Sequence, residues 1–371
     1  MNKYVRSLIP ALAVAVTVGL APNVVADTPE APAKGAVLIS ADNISDFDAT
    51  RKWTAIAGQD DRVDGYYVYS ESMQRDIPVA VVAATNEAGE RVSGAPTIYL
   101  LNGAGGAEQN NDWLALNKSR PDEDYKGTID FYSGKSVNVV IPMDGAFSYY
   151  LDWYSKPNSG LLNGPQMWET FLTKELPGSI EPAIGANDRR AIVGFSMSAT
   201  SAALLAAHNP GFYSAVAGFS GFYSTSDPAS YKVHGLTLDR ADATPEQMLG
   251  PVGGDFAKRN DALLNAEGLR ETKHLYFSNG SGLASITDTP SYLMEHGASP
   301  QAAVAGSSTL QIEGGVIEFA TNASTHQLEA KLNSLGIPAT FNFRNTGTHS
   351  WPSWRADQYD SWPILQAGLF G

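Results

Sequence analysis

Short apolar runs rich in β-forming residues recur along the chain, and polar or helix-forming stretches separate them. The central runs are almost uninterrupted sequences of Val, Ile, Leu and Ala, a pattern typical of strands buried on both faces of a parallel sheet. Eight runs are therefore predicted to be strands: Tyr66–Tyr69, Val79–Ala83, Thr97–Leu101, Val137–Pro142, Ala191–Phe195, Ala215–Phe219, His274–Ser278 and Thr340–Phe343.

Helical stretches alternate with these runs. Three are predicted to be helices, Met167–Leu176, Met197–His208 and Thr325–Leu335, the last of which ends before a glycine. Strand and helix in alternation indicate one doubly wound α/β domain, predicted to span residues 37–371. The polar stretch 222–272 breaks the alternation and is predicted to be an insertion over the end of the sheet that carries the active site.

Residues 1–26 have the pattern of a secretory signal peptide. Two basic residues precede an apolar stretch, and small residues lead to a plausible cut after Ala26. An uncleaved anchor is the alternative, but the apolar stretch is shorter than the ~20 residues that span a bilayer. We expect a secreted or envelope protein that starts with a flexible Pro/Ala-rich leader at 27–36.

The composition removes several classes of function. The 371 residues include 25 Lys and Arg against 39 Asp and Glu, for a net charge of −14, so general binding to nucleic acid is not expected. The absence of cysteine excludes disulfides, thiolate metal sites and a cysteine nucleophile. The chain has no HExxH motif and no His/Asp cluster at ligand spacing, so neither a metal nor a cofactor is expected.

A nucleophile elbow is predicted at Ser196. The run Ala191–Val193 leads through Gly194 and Ser196 directly into a helix of small residues, which is the strand–turn–helix context of an activated serine. The motif reads G-x-S-x-S, with Ser198 where Gly is common. A serine that only caps the helix is the alternative. With this elbow the predicted domain takes the α/β-hydrolase fold, with a mostly parallel central sheet and helices on both faces.

A serine nucleophile needs a base, and His349 is the candidate. It follows the last predicted strand in a loop flanked by glycine, as the chain order Ser…acid…His requires. The other five histidines lie on helices or at positions that this order does not place beside Ser196.

Backbone amides of Met197 and Ala104 are the candidates for an oxyanion hole. Met197 follows the nucleophile, and Ala104 lies in the loop after the strand Thr97–Leu101. The glycines of that loop could instead cradle a phosphate, but the loop lacks the spacing of a P-loop or a dinucleotide fingerprint.

The triad acid is expected after the strand His274–Ser278. Asp288 is the first carboxylate there and is the candidate, with Glu295 next. A surface Asp in a polar loop is the alternative to a catalytic Asp288.

The chain resembles the antigen 85 mycolyltransferases of mycolic-acid-bearing actinobacteria. The resemblance runs from about Thr97 to Leu365 and depends on the stretches IYLLNG, FSYYLDWYS, WETFLTKELP, GFSMSATSA, LGPVGGDFAKRND, SNG and GTHSW. It implies that Ser196 takes a mycoloyl group from trehalose monomycolate and that an acceptor hydroxyl, activated by His349, resolves the acyl-enzyme. It also implies that Trp351 lines the substrate cleft and that the protein contacts the mycolate outer membrane peripherally.

Two departures from the family pattern affect these expectations. The family's acid is a Glu soon after the N-G pair, where this chain has Ser281–Ala284, so Asp288 would have to act from a longer loop. The family's Asp and Arg contacts to trehalose correspond to Asn102 and Gly105 in this chain. Their loss would weaken the binding of the sugar and favour another acceptor, such as an arabinan or a protein Ser hydroxyl. A plain secreted esterase or lipase and a non-catalytic envelope binding protein remain alternatives.

Overall fold

The computed structural model describes residues 35–119, 125–162 and 164–371. The predicted signal peptide and residues 27–34 of the predicted leader lie outside the described residues. None of the helices among the described residues combines the length and the hydrophobicity that a membrane span requires.

A single sheet of nine strands organises this part of the chain. Its spatial order is β1-β2-β3-β5-β4-β6-β7-β8-β9, antiparallel from β1 to β5 and parallel from β5 to β9. The strands are β1 Val37–Leu38, β2 Val63–Ser70, β3 Arg75–Val82, β4 Ala95–Leu100, β5 Asn138–Pro142, β6 Ala186–Phe195, β7 Ala215–Phe219, β8 His274–Asn279 and β9 Thr340–Phe343.

Helices connect and cover the strands. They are α1 Asp46–Ala49, α2 Lys52–Ala57, α3 Thr128–Tyr132, α4 Trp168–Thr170, α5 Leu176–Ala183, α6 Met197–His208, α7 Pro228–Leu238, α8 Pro245–Leu249, α9 Asp255–Arg259, α10 Pro290–Glu295, α11 Pro300–Thr309, α12 Gly315–Leu335 and α13 Trp351–Phe370. Two π-helical segments, Phe171–Glu175 and Leu310–Gly314, join α4 to α5 and α11 to α12.

Alternate residues of the central strands pack into two separate cores, one on each face of the sheet. Along β4 and its continuation, Tyr99 and Leu101 pack with residues of α5, α6 and α12. Ile98 and Leu100 pack on the other face with residues of α2, α3 and α13. Because strand side chains alternate between faces, uninterrupted apolar runs are what a sheet covered on both sides requires.

The predicted α/β-hydrolase fold is confirmed. All eight predicted strands are present, and the helix predicted at Met197–His208 has the same bounds in the structure. The prediction Thr325–Leu335 covers only the second half of α12, which begins ten residues earlier, at Gly315. Residues 222–272 form α7 to α9 and the short turns around them between β7 and β8. Their status as an insertion stays a prediction.

Parallel pairing brings several functional segments to one edge of the sheet. Strands β4, β6, β8 and β9 end at the same edge, and each is followed by a loop or helix start. Those following segments contain Asn102–Gly106, Ser196, Gly280 and His349. In open α/β sheets this edge is where ligands bind.

Candidate active site

Ser196 lies in the sharp turn between β6 and α6. Its backbone has φ +57° and ψ −124°, a strained conformation for a residue other than glycine. Its N–H donates to the carbonyl of Phe219 on the neighbouring strand at 2.8 Å. A Cβ on Gly194 would lie 2.2 Å from the Ser198 carbonyl oxygen, so only glycine fits below the turn. The structure therefore has a strand–turn–helix arrangement with Ser196 at the turn, and the role of Ser196 as a nucleophile stays a prediction.

Ser198 replaces the common last glycine without opening the elbow. Its side chain is fully buried, and its Oγ accepts from the Phe195 N–H at 3.0 Å. Its one proton has two acceptors within reach, the carbonyls of Phe195 at 3.0 Å and Leu101 at 3.2 Å, so the hydroxyl is hydrogen-bonded within the turn.

His349 lies in the loop before α13 and contacts the serine. The distance from His349 Nε2 to Ser196 Oγ is 2.7 Å. The His349 N–H donates to the carbonyl of Gly314 at 3.2 Å, and the imidazole edge lies against the Trp354 indole with centroids 5.0 Å apart. These contacts hold the imidazole with one nitrogen at the predicted nucleophile.

The other nitrogen of the imidazole contacts Glu318, on α12. His349 Nδ1 lies 2.8 Å from Glu318 Oε2. The second carboxylate oxygen accepts three hydrogen bonds, and the whole side chain is buried. The three donors are Ser220 Oγ at 2.8 Å, Asn279 Nδ2 at 2.9 Å and the Gly280 N–H at 2.6 Å. Glu318 is thus held as a hydrogen-bond acceptor on both oxygens.

Asp288 does not contact the imidazole, contrary to the sequence expectation. Its buried carboxylate accepts from Thr348 Oγ1 at 2.8 Å on one oxygen and from the N–H and Oγ of Ser285 on the other. Neither oxygen of Asp288 is hydrogen-bonded to His349: one accepts from Thr348, the residue before it, and the other accepts from Ser285. Asp288 therefore connects the loop of His349 to the turn before α10 by hydrogen bonds.

Glu318 was not predicted from the sequence, because the acid was expected in the loop directly after β8. Helices α10 and α11 and a π-helical segment intervene, and the acid comes from the first turns of the next helix. One signal was available. The stretch Gly314–Phe319 (GGVIEF) places a single carboxylate between apolar residues, and a buried carboxylate needs partners.

The two candidate oxyanion residues lie on either side of a strained loop, Gly145–Leu151. Met197 is the first residue of α6, so its N–H has no acceptor within the helix. The Ala104 carbonyl accepts from the Phe147 N–H at 2.8 Å, and no acceptor for the Ala104 N–H occurs among the described residues. The Tyr149 N–H points to Met197 Sδ at 3.3 Å.

This Gly145–Leu151 loop overlaps the stretch FSYYLDWYS that carries the family resemblance, but the sequence predicted no role for it in the site. Phe147, Tyr149 and Tyr150 all have positive φ, between 48° and 60°. The Ser201 hydroxyl of α6 donates to the Tyr149 carbonyl and holds the loop against the elbow. Such strain persists only where the surroundings over-determine it, and here the loop contacts the residues on both sides of the candidate oxyanion hole.

Glu108 connects the loop that carries Ala104 to the Gly145–Leu151 loop through hydrogen bonds. Its Oε1 accepts from the N–H groups of Gly145 at 2.6 Å and Ala146 at 2.9 Å, while its buried Oε2 has no partner among the described residues. Burial and the neighbouring Asp144 carboxylate raise the pKa of Glu108 to about 7, and Arg51 opposes the rise.

The structure does not present Asn102 to a substrate. The residue is fully buried; its Nδ2 donates to the Pro142 carbonyl at 3.0 Å, and its Oδ1 accepts from the Trp113 N–H at 3.2 Å. Gly105 is buried as well. Both residues shape the loop that carries Ala104.

Trp351 forms part of a cleft of about 530 Å³ next to His349. Its Nε1 donates to Asn111 Oδ1 at 3.0 Å, and its ring packs against Trp113 and Phe195. The cleft is also lined by Leu293 of α10 and by Leu310, the first residue of the π-helical segment after α11. Among the described residues, no group of His, Asp and Glu is arranged to hold a metal ion.

Comparison with known proteins identifies the family. A family model described as "Putative esterase" matches residues 70–360. The diacylglycerol acyltransferase/mycolyltransferase Ag85B of Mycobacterium leprae is 30% identical over 313 residues, 83% of this chain and 84% of that protein. Ag85A of Mycobacterium tuberculosis is 28% identical over 326 residues, 85% of each protein. The chain belongs to the Ag85 mycolyltransferase family.

The resemblance to the Ag85 family and the assignment to the acyltransferases are thus confirmed. Solved structures agree at the level of the fold. MPT51 (FbpC1) of Mycobacterium tuberculosis matches with a TM-score of 0.62 at 22% identity, over 81% of this chain and 97% of that one. An S-formylglutathione hydrolase from Agrobacterium tumefaciens matches with a TM-score of 0.58 at 16% identity, over 83% and 95%.

Proposed function

We propose that this Ag85-family protein moves a mycoloyl group from trehalose monomycolate, through an ester on Ser196, to an acceptor hydroxyl in the cell envelope. The observation that carries the proposal is the continuous hydrogen-bonded chain from Ser196 Oγ through His349 to Glu318, with distances of 2.7 and 2.8 Å. This is the arrangement that a serine nucleophile, its base and the group that orients the base require.

In the first half-reaction, His349 Nε2 takes the proton of Ser196 as Oγ attacks the ester carbonyl of the donor. The negative charge that develops on the carbonyl oxygen is stabilised by the N–H groups of Met197 and Ala104 and by the start of α6. The tetrahedral intermediate then collapses. The ester bond to trehalose breaks, the departing sugar oxygen takes the proton from His349, and the acyl group stays on Ser196.

In the second half-reaction an acceptor hydroxyl takes the place of trehalose. His349 removes its proton, its oxygen attacks the acyl-enzyme carbonyl, and Ser196 Oγ leaves with the proton returned by His349. The new ester leaves with the acceptor, and the free enzyme is restored without a cofactor.

Glu318, rather than Asp288, takes the role of the acid. Its Oε2 accepts the Nδ1–H of His349, which fixes the tautomer that leaves Nε2 free to act as the base. The three donors on the other oxygen keep the carboxylate oriented and compensate its burial.

The donor's sugar is bound differently from the family pattern. The Ag85 resemblance implies Asp and Arg contacts to trehalose where this chain has Asn102, which is buried, and Gly105. Each lost charge-assisted hydrogen bond typically removes ~1.5–3 kcal/mol. Weaker binding of trehalose favours an acceptor other than a second trehalose glycolipid, such as an arabinan or protein Ser hydroxyl.

A transfer assay tests the proposal directly. Radiolabelled trehalose monomycolate is incubated with the protein and, separately, with a trehalose glycolipid, an arabinan and an envelope protein as acceptors. We expect labelled ester on at least one acceptor and a loss of about 10³-fold or more with Ser196→Ala. Synthesis of trehalose dimycolate alone would exclude the altered acceptor and leave the acyltransferase.

Hydrolysis is the second candidate function, favoured by the match of residues 70–360 to the esterase model. The same triad performs both reactions, and exclusion of water from the acyl-enzyme separates them. Release of free fatty acid with no transferred ester in the assay would identify an esterase. Failure of a fluorophosphonate to label Ser196 would favour a binding protein without catalytic activity.

The proposed site of action is outside the cell, as expected from the predicted signal peptide at 1–26. Expression of the full chain with N-terminal sequencing of the secreted product tests this point, with Asp27 as the expected first residue.

A further inference from the structure

Large apolar side chains are concentrated on the surface between β8 and the middle of α12. Of the 19 that are exposed in the described part of the chain, eight lie between Leu283 and Phe319, and each exposes between 42% and 75% of its surface. They are Leu283, Ile286, Met294, Val304, Ile312, Val316, Ile317 and Phe319. Scattered exposed apolar residues need no explanation, whereas a concentration of this kind marks an interaction surface.

Three of these residues form a stripe on one side of a helix. Ile312, Val316 and Phe319 follow one another at intervals of four and three residues where the π-helical segment continues into α12, a spacing that places them on one face. The loop before α10 lies beside them, since a Cβ on Gly282 would be 3.2 Å from Phe319 Cβ. We call Leu283, Ile312, Val316 and Phe319 the apolar stripe.

The apolar stripe lies on the exposed face of the helical segment whose buried face contacts His349. Phe319 directly follows Glu318, and Gly314, between Ile312 and Val316, accepts the His349 N–H. Leu293 and Leu310, which lie between Leu283 and Phe319 in the chain, line the cleft at His349. A long acyl chain that leaves a surface in contact with the stripe would therefore reach Ser196 over a short distance.

The charges around the apolar stripe indicate what kind of surface it meets. No Lys or Arg occurs between His274 and Ala330, while Glu295 and Glu313 are exposed in the same segment. Anionic lipid surfaces attract clusters of basic residues and repel carboxylates. In space, Arg344 lies next to Gly347, whose N–H donates to the Leu283 carbonyl, but its guanidinium is mostly buried and paired with Asp357. The apolar stripe therefore fits a lipid layer whose headgroups carry no net charge.

We propose that the apolar stripe is the surface by which this protein docks on an uncharged lipid layer and takes up its acyl donor. The proposal depends on the proposed function in one respect, that the donor is a lipid with an uncharged sugar headgroup. Docking is driven by burial of the stripe among acyl chains or headgroups and contributes no catalytic group.

Vesicle co-sedimentation with the processed chain from a secreting host tests the docking. We expect binding to vesicles of phosphatidylcholine alone that is not strengthened when a third of the lipid is phosphatidylglycerol. We also expect that raising the salt does not weaken it, because the contribution is apolar rather than coulombic.

Two variants, one double and one single, locate the binding surface. Ile312→Gln with Val316→Gln keeps good helix formers at both positions and is expected to weaken binding about tenfold or more. Leu236→Gln is the matched control, since Leu236 on α7 is 74% exposed and lies outside the segment. Circular dichroism and the thermal midpoint confirm that each variant folds.

Three results would overturn the proposal. They are unchanged binding by the double variant, salt-sensitive binding to phosphatidylglycerol vesicles only, and a dimer in sedimentation velocity that the double variant dissociates, which would assign the stripe to a second copy of the chain. Fluorophosphonate labelling of the unmodified protein tests the proposed function separately, so the two failures are distinguishable.

Discussion

The two sides of the candidate site are built in different ways. On the nucleophile side, Ser196 and the residues that shape its turn lie within five positions of one another, from Gly194 to Ser198. On the acid side, Glu318 reaches His349 across 31 positions of sequence, and its other oxygen is held by donors from the ends of β7 and β8. The nucleophile is specified by local backbone sterics, whereas the acid is specified by where a helix is packed.

Substitution of Glu318 by Gln is expected to have the largest effect and tests the acid side. Three donors point at Oε1, so the amide must direct its oxygen toward them and its NH2 toward His349 Nδ1. The imidazole would then carry its proton on Nε2 and could not accept from Ser196. We expect kcat to fall about 10³- to 10⁴-fold with little change in KM, measured in the transfer assay.

The matched control for this variant is Glu329→Gln on the same helix, where Glu329 is partly exposed and pairs with His326. Its kcat should stay within about twofold. A Glu318→Gln enzyme with near-native kcat would show that the imidazole is oriented by another group.

The nucleophile side is tested by Gly194→Ala. The added Cβ would lie 2.2 Å from the Ser198 carbonyl oxygen, which belongs to the backbone and cannot move without shifting α6. We expect the free energy of unfolding to fall by about 3 kcal/mol or more, measured by chemical denaturation. Gly235→Ala is the control, because its nearest neighbour would be at 3.6 Å, an ordinary contact. Equal stabilities of the two variants would refute the steric argument.

This difference explains what could be predicted from the sequence. The alternation of strands and helices and the elbow at Ser196 are local patterns, and a short window of sequence contains them in full. The Glu318 contact depends on α10, α11 and the π-helical segment Leu310–Gly314, which together decide which turn of α12 faces His349. Asn102 was likewise assigned by position in a motif, and only packing shows that its amide is engaged by the backbone.

A buried titratable group on the nucleophile side gives a prediction about pH. The raised pKa of Glu108, about 7, means that the folded protein keeps a proton that the unfolded chain loses near the ordinary value of 4.5. The free energy of unfolding should therefore decrease as the pH rises from about 4.5 to about 7, by about 2–3 kcal/mol, and this contribution should then level off.

Glu108→Gln should remove that part of the pH dependence, since the amide keeps an oxygen for the N–H groups of Gly145 and Ala146 and does not ionise. Denaturation at pH 5 and pH 8 measures the difference, with the exposed Glu87→Gln as the control. The same slope in Glu108→Gln and the unmodified protein would assign it to another group.

The smallest effect is expected for Asp288→Asn, which tests whether Asp288 only supports the loop of His349. The introduced amide would keep an oxygen to accept from Thr348 Oγ1, but its NH2 would face the N–H of Ser285, where the carboxylate accepts now. We expect a loss of about 1–2 kcal/mol in the free energy of unfolding and a kcat within about fivefold of the unmodified enzyme, because no atom of Asp288 touches the imidazole. The pH profile of kcat should keep its shape. If kcat instead fell as far as in Glu318→Gln, the active enzyme would have to rearrange the turn before α10 so that Asp288 replaces Glu318 at His349.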